Sequence, residues 1–465
     1  LPSRAHTLII ECTTKGAYKS MKKHLSSKEL ILVASMLFGM FFGAGNLIFP
    51  VSMGQLAGSS LWAASAGFLI TGVGLPLLGV AALGISRKEG LLELSSQVGK
   101  SYGIFFTCIL YLTIGPFFAI PRCASMSFTV GIEGSIPSGI RAAALAGFSL
   151  IFFALVLFWS LRPGEILTWV GKILNPLFLC FLGILVIRAL ISPMGSIGAV
   201  SPSGSYAANA FAQGFLEGYN TMDALAGLAF GIIVVRTIRG LGVKDPSSVA
   251  GSTVKAGVFS SLLMAAIYLL TAIVGAQSRG MLETAENGGI ALAEIATHYF
   301  GAAGTVILAV TVTIACLKTA VGLITSCGET FTQMFPKGPS YRVWATGFCI
   351  LSFLIANLGL NAIIGYSLPV LLFLYPLTIT LILLTLTSGI WGGHRSVYRW
   401  VTGFTAAAGL LDFLNALPEG PSALLHLHEI LPPVTGLLPF FDAGFGWICP
   451  ALLGLLIGLW RSRTD

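Results

Sequence analysis

Long apolar runs separated by short polar stretches dominate the chain. A helix that crosses a bilayer needs about 20 predominantly apolar residues. Runs of that kind fall at 29–50, 61–84, 102–125, 142–160, 166–190, 207–235, 253–277, 303–326, 341–357, 363–386, 398–416 and 443–460. The pattern predicts an all-α membrane protein of about 12 transmembrane helices. Between the last two runs, Pro418, Pro421, Pro432, Pro433 and Pro439 crowd 416–442, where a short re-entrant or surface helix is expected. Ser26-Ser27-Lys28-Glu29 has the spacing of a capping box and opens the first run. That run extends far past a signal-peptide core and shows no small-residue cleavage site, so it reads as a retained span. Residues 1–20 fit poorly with the rest of the chain. Met21-Lys22-Lys23-His24 reads as a natural start, which makes 1–20 an over-extended start or a disordered tail.

Composition supports the same class. Hydrophobic residues make up 55% of the chain and charged residues 9%, where a soluble domain carries about 25% charged residues. So few charges cannot coat a water-exposed surface, and lipid is expected to cover much of it.

The net charge is +8, from 26 Lys and Arg against 18 acids. With the N-terminus in the cytoplasm and the spans alternating, 21 of the 26 basic residues fall on the cytoplasmic side. Arg122, Arg141, Arg188 and Arg279 fall at the outer side or at outer helix ends, and Lys318 lies within a span. This is the positive-inside bias of an even number of spans with both termini inside. The basic charge is therefore topogenic, and no nucleic-acid partner is needed to account for it. No G-x-x-x-x-G-K-[ST] or H-E-x-x-H pattern occurs, which leaves out a built-in nucleotide motor and a zincin site. The 8 cysteines are scattered without C-x-x-C pairs and read as small buried thiols rather than metal ligands or a disulfide framework.

Two runs are interrupted by polar and glycine residues. The first contains Gly39-Met40-Phe41-Phe42-Gly43-Ala44-Gly45-Asn46-Leu47-Ile48-Phe49-Pro50. A packing face with G-x-x-x-G spacing explains Gly39 and Gly43 but not Gly45-Asn46. The sixth contains Gly214-Phe215-Leu216-Glu217-Gly218-Tyr219-Asn220-Thr221-Met222-Asp223. Acids inside a span are costly and are read as functional by default. The alternative, a loop between two short helices, leaves the apolar run 224–235 too short to span alone. Irregular backbone at membrane depth survives only around protein or a polar cavity. Paired interruptions at equivalent places point to a substrate site in an inverted-repeat transporter. The expected organisation is a cytoplasmic tail at 1–28, a first repeat at 29–190 (spans 1–5), a second at 207–386 (spans 6–10), two further spans at 398–460, and a cytoplasmic tail at 461–465. Freed amides at a half-helix N-terminus suit a carboxylate, and freed carbonyls at the other half suit an ammonium group or a cation. An amino acid zwitterion needs both. A lining of Leu, Phe, Ile and Ala suits an apolar side chain.

Several motifs carry a resemblance. Phe41-Phe42-Gly43-Ala44-Gly45-Asn46-Leu47-Ile48-Phe49-Pro50, Tyr111-Leu112-Thr113-Ile114-Gly115-Pro116-Phe117-Phe118-Ala119-Ile120-Pro121-Arg122 and Gly214-Phe215-x-x-Gly218-Tyr219-x-Thr221-Met222-Asp223 resemble the branched-chain amino acid:cation symporters of the BrnQ type. Ala315-Cys316-Leu317-x-Thr319-Ala320-Val321-Gly322-Leu323 and Asn357-Leu358-Gly359-Leu360 extend the likeness, which runs from about Ser27 to Arg461. The resemblance implies a LeuT-like five-plus-five inverted-repeat fold with helices 1 and 6 broken. It also implies uptake of leucine, isoleucine and valine across a bacterial inner membrane, with methionine as a further candidate. Sodium or protons would be the coupling ion, with no other cofactor.

By the same resemblance, the amides of Ala44 and Gly45, beside Gly43, would receive the substrate carboxylate, and Asn46 would sit by a cation or the substrate. Gly115, Pro116 and Phe117 would line the pocket, and Tyr219, Asn220 and Asp223 would face it. One sodium site would use the carbonyls of Gly39 and Phe42 with groups at Ala315, 318 and Thr319.

Lys318 departs from the family pattern, where an uncharged residue is expected. A lysine at the bilayer centre costs about 2.5–3.5 kcal/mol on insertion scales and needs a partner or a cavity. Snorkelling toward the cytoplasmic end of its span is one reading. The other places its ammonium group in the second sodium site, bridging spans 1 and 8 without sodium, with Glu217 or Asp223 as a candidate charge partner. Two other functional classes fit less well. A channel or scaffold would more readily show repeated pore motifs, and a polytopic enzyme would need a catalytic partner for Asp412, which no His or Ser motif supplies. The sequence leaves the oligomeric state open.

Overall fold

A computed structural model describes residues 22, 24–43, 45–86, 88, 90–162 and 175–463. Most of the N-terminal tail, Ala44 of the first interruption, residues 163–174 with the start of the run predicted at 166–190, and the last two residues lie outside the described residues. Among the described residues regular structure is helical, apart from an isolated bridge between Lys22 and Val243.

The first helix, Ser27–Phe41, opens as the capping box foresees. The Glu29 amide donates to Ser26 Oγ at 3.3 Å and the Ser26 amide donates to Glu29 Oε2 at 2.9 Å. Six described helices are long and apolar enough to cross a membrane: Gly45–Ser86, Lys100–Gly131, Ser138–Ser160, Pro246–Ser278, Gly288–Met334 and Leu360–Trp391. Ser205–Thr221 and Asp223–Gly240 together make a seventh, bent by 44°. Shorter apolar helices occupy Leu179–Ile191, Tyr341–Ala356 and Ile448–Arg461. Two of the long runs turn internally at glycines in the left-handed region, Gly58 (φ 49°) and Gly301 (φ 58°). The proline-rich stretch folds into short helical turns, Glu419–Leu424, Leu427–Ile430 and Pro432–Thr435.

Large apolar side chains cover the outside. Ile31, Leu32, Ile151, Leu262, Leu354 and Leu456 are each 60% exposed or more. A soluble protein seldom leaves so many uncovered. They suit hydrocarbon, and the chain is a multi-pass membrane protein.

Lipid supplies no hydrophobic drive between helices, so close backbone approach through small residues holds them together. The helix Gly45–Ala57 lies along Pro246–Ser278. There a side chain on Gly54 would collide with the Ala272 carbonyl, and one on Gly275 with the Val51 carbonyl. Ser205–Glu217 meets Leu61–Leu69 in the same way, through Gly214 against Ala64 and Gly67 against Phe211. Asp223–Gly240 meets Leu75–Ser86 through Gly227 against Pro76. Glycine contacts thus clamp both halves of the molecule around its centre. Gly54→Ala is expected to cost about 1–3 kcal/mol through overpacking, read as a lowered Tm of the detergent-solubilised protein. Gly147→Ala, at a position with open space around it, should leave the Tm unchanged or slightly raised.

Candidate substrate site

The first helix stops because Phe42 turns its backbone out of the helical region (φ −71°, ψ 104°), while its amide still donates to Phe38 O at 2.8 Å. Helix resumes at Gly45 and runs to Ala57. Asn46 spans this gap: its Oδ1 accepts the Gly43 amide at 2.8 Å. Pro50, one turn further on, lacks the N–H that would otherwise bond the Asn46 carbonyl.

The second interruption has a different cause. Ser205–Glu217 tightens into a 3₁₀ turn at Gly218–Thr221, and Met222 takes a left-handed conformation (φ 62°, ψ 13°) before helix restarts at Asp223. A non-glycine residue there is uncommon, and such backbone clusters at functional sites. Thr221 Oγ1 accepts the Asp223 amide, the first of the restarted helix, at 3.3 Å. Asp223 stands in the first turn, where the helix dipole favours an anion.

The two interruptions touch. Asn46 Nδ2 donates to Asp223 Oδ2 at 2.7 Å, and the Tyr268 hydroxyl donates to the same oxygen at 2.6 Å. Asn46 Nδ2 also contacts the Tyr268 hydroxyl. All three residues are at most 2% exposed. Pro246–Ser278 therefore supplies, through Tyr268, the third corner of a polar knot at the core.

A cavity of about 40 Å³ opens beside this knot, room for a few water molecules. Gly45 and Asn46 line it from the first interruption, and Thr221, Met222 and Asp223 from the second. Phe41, Ile114, Phe230 and Leu323 supply apolar wall. Arg122 lines it as well, 3% exposed, with Nη1 donating to the Asn220 carbonyl at 2.8 Å and the guanidinium over the Phe49 ring at 5.0 Å.

Other residues singled out in the sequence fall around this centre. Thr319 lines the cavity, and a Cβ on Gly43 would lie 3.2 Å from its Cγ2, so this helix abuts the first interruption. Thr319 Oγ1 donates to the Ala315 carbonyl at 3.0 Å. Lys318, next to it, is half-buried, and Gly39 and Phe42 are buried. Gly115, Pro116 and Phe117 sit in a π-helical kink, Thr113–Phe117, where Gly115 leaves the helical region (φ −101°, ψ −126°). The cavity wall from that region is made by their neighbours Ile114, Ala119, Arg122 and Cys123. Tyr219 stacks on Tyr375 with ring centroids 3.9 Å apart. Asn220 reaches Arg122 through its carbonyl, and Glu217 is half-buried at the end of its helix.

Two residues at the centre escape the sequence reading. Arg122, which hydropathy places with the outer helix ends, lies in the core, because helix continues past it to Gly131. The signal was available in Asp223, a buried acid for which a nearby basic group is to be sought. Tyr268 gives no signal, being one tyrosine in a long apolar helix.

Known proteins share the fold and the family of this chain. Over 93% of the chain and 100% of its own, the structure of MhsT in complex with L-phenylalanine superposes with a TM-score of 0.54 at 16% identity. Mhp1, a nucleobase-cation-symport-1 family transporter in a closed conformation with bromovinylhydantoin bound, gives 0.57 at 15%, over 94% of this chain and 93% of its own. At such identities the likeness concerns the fold, which is LeuT-like. In sequence, the branched-chain amino acid permease BrnQ of Lactobacillus delbrueckii subsp. lactis is 54% identical over 435 residues, 92% of this chain and 96% of that one. Its Bacillus subtilis (strain 168) counterpart is 42% identical over 449 residues, 96% and 100% of the two chains. The Escherichia coli (strain K12) permease of the same name is 37% identical over 444 residues, 96% and 98%. These relatives are permeases, not enzymes. Residues 26–464 match the family described as "Branched-chain amino acid transport protein", and the chain belongs to it.

Proposed function

We propose that this protein is a secondary active transporter that imports leucine, isoleucine and valine across a bacterial inner membrane by cation symport. In this reading it has twelve spans in a five-plus-five inverted repeat, with both termini cytoplasmic. Ser27–Phe41 with Gly45–Ala57, and Ser205–Glu217 with Asp223–Gly240, are the broken helices 1 and 6. The observation that carries the proposal is the Asn46–Asp223–Tyr268 knot, which fastens both interruptions together at the wall of a cavity. Asn46 and Tyr268 both donate to Asp223 Oδ2, and Oδ1 would receive the substrate's ammonium group. The apolar wall of Phe41, Ile114, Phe230 and Leu323 receives the branched side chain. A cavity of about 40 Å³ must widen to admit it, as expected of a carrier that alternates between open and closed states.

The place of Thr319 against Gly43 favours a second reading of the coupling. Lys318 stands beside that contact, where its ammonium group would bridge the helix 1 interruption to helix 8 in place of a bound sodium ion. Sodium-free transport, or transport coupled to protons, follows from it.

Labelled leucine uptake in proteoliposomes tests the function. Trans-loaded unlabelled leucine should drive saturable counterflow; non-saturating flux would mark a channel. Asp223→Ala removes a buried charged hydrogen-bond acceptor worth about 1.5–3 kcal/mol per bond, so leucine affinity should fall by roughly tenfold or more. Replacing sodium with choline separates the coupling readings: uptake that survives supports the Lys318 substitute, and uptake that is abolished sinks it. Under the Lys318 reading, Lys318→Thr should make uptake sodium-dependent.

A further inference from the structure

Arg122 carries a charge into the core. Among the described residues no acidic oxygen lies within ion-pair distance of it, the ion pairs being Lys22–Glu29 and Lys88–Glu93. Its Nη1 is held by the Asn220 carbonyl, and its Nε is buried without a hydrogen-bond partner. Nη2 reaches the start of the helix that opens at Gly45, where a Cβ on Gly45 would lie 2.9 Å from it. A side chain at 45 would push the guanidinium away from that helix end. The Phe49 ring supports the guanidinium plane from one side.

Burying a charge is costly unless it is paired. Here the fold holds a guanidinium in place on a cavity wall, at a helix N-terminus that itself favours an anion. Asp223, on the same cavity, has the opposite sign. An anion and a cation on one small cavity form the complement of a zwitterion. A guanidinium also presents two parallel donors that match a carboxylate.

We propose that Arg122 is a substrate-binding residue that receives the α-carboxylate of the transported amino acid, opposite the ammonium group at Asp223. The inference rests on the transport reading and adds to it the group that selects for a free carboxylate. Arg122 would then join three parts at once: the helix opening at Gly45, the Asn220 carbonyl of the second interruption, and the substrate between them.

Direct binding of labelled leucine and labelled leucinamide, which lacks the carboxylate charge, tests this on purified wild type, Arg122→Gln and Arg122→Lys, with Tm measured alongside. Wild type should prefer leucine by at least about tenfold, the usual scale for a charged hydrogen-bonded pair. In Arg122→Gln, leucine binding should weaken at least about tenfold while leucinamide binding changes less than about twofold, so the preference disappears. Arg122→Lys keeps the charge and a donor for Asn220 but loses the paired donors, so it should retain part of the preference; it carries the test if Arg122→Gln does not fold. Equal loss of both ligands in a folded variant would make Arg122 a structural pin and overturn the proposal, as would an unchanged preference. Wild type that binds no branched-chain amino acid would instead sink the transport reading on which it rests.

Discussion

Asp223 is an acid at the centre of an apolar helical protein, and two donors from two other helices meet on one of its oxygens. In hydrocarbon, neither an isolated carboxylate nor loose peptide groups can persist without partners. Asn46 answers both needs. Its carbonyl oxygen takes the Gly43 amide left over where the first helix stops, and its amide nitrogen reaches Asp223. One side chain thereby closes the first interruption and ties it to the second. Tyr268 fixes the same carboxylate from the long helix Pro246–Ser278.

That arrangement needs helices whose backbones nearly touch, and the glycines provide them. Gly54 and Gly275 bring Gly45–Ala57 against the helix that carries Tyr268. Gly227 does the same for the helix that begins with Asp223. The polar knot is therefore held by packing at some distance from it, which leaves the cavity wall free for apolar side chains and for Arg122. The interruptions themselves differ in kind. The first is a gap bridged by a side chain, the second a tightened turn with a left-handed residue. Two local solutions bring residues of both interruptions to the wall of one cavity.

Much of this was legible in the chain. The apolar runs give the helical membrane class. Gly43–Asn46 and Glu217–Asp223 mark the interruptions because glycine, asparagine and acids are out of place in hydrocarbon. Spacing also gives the Ser26–Glu29 cap. What the sequence withholds is long-range: that Tyr268 lies 45 positions from Asp223 in the chain yet bonds to it, and that helix continues through Arg122 into the core. Hydropathy puts Arg122 at an outer end because an apolar run finishes there. The helix through Arg122 packs against Gly288–Met334, a long-range contact that hydropathy does not register. Run boundaries suffer likewise, since the long helices turn at Gly58 and Gly301 instead of ending.

If the two interruptions enclose the substrate, an electron-microscopy reconstruction of the protein with saturating leucine should show ligand density bounded by Gly45 and Asn46 on one side and Thr221 and Asp223 on the other, with helix absent through Phe42–Gly43 and through Met222. Leucine density elsewhere, with continuous helix through both segments, would contradict it.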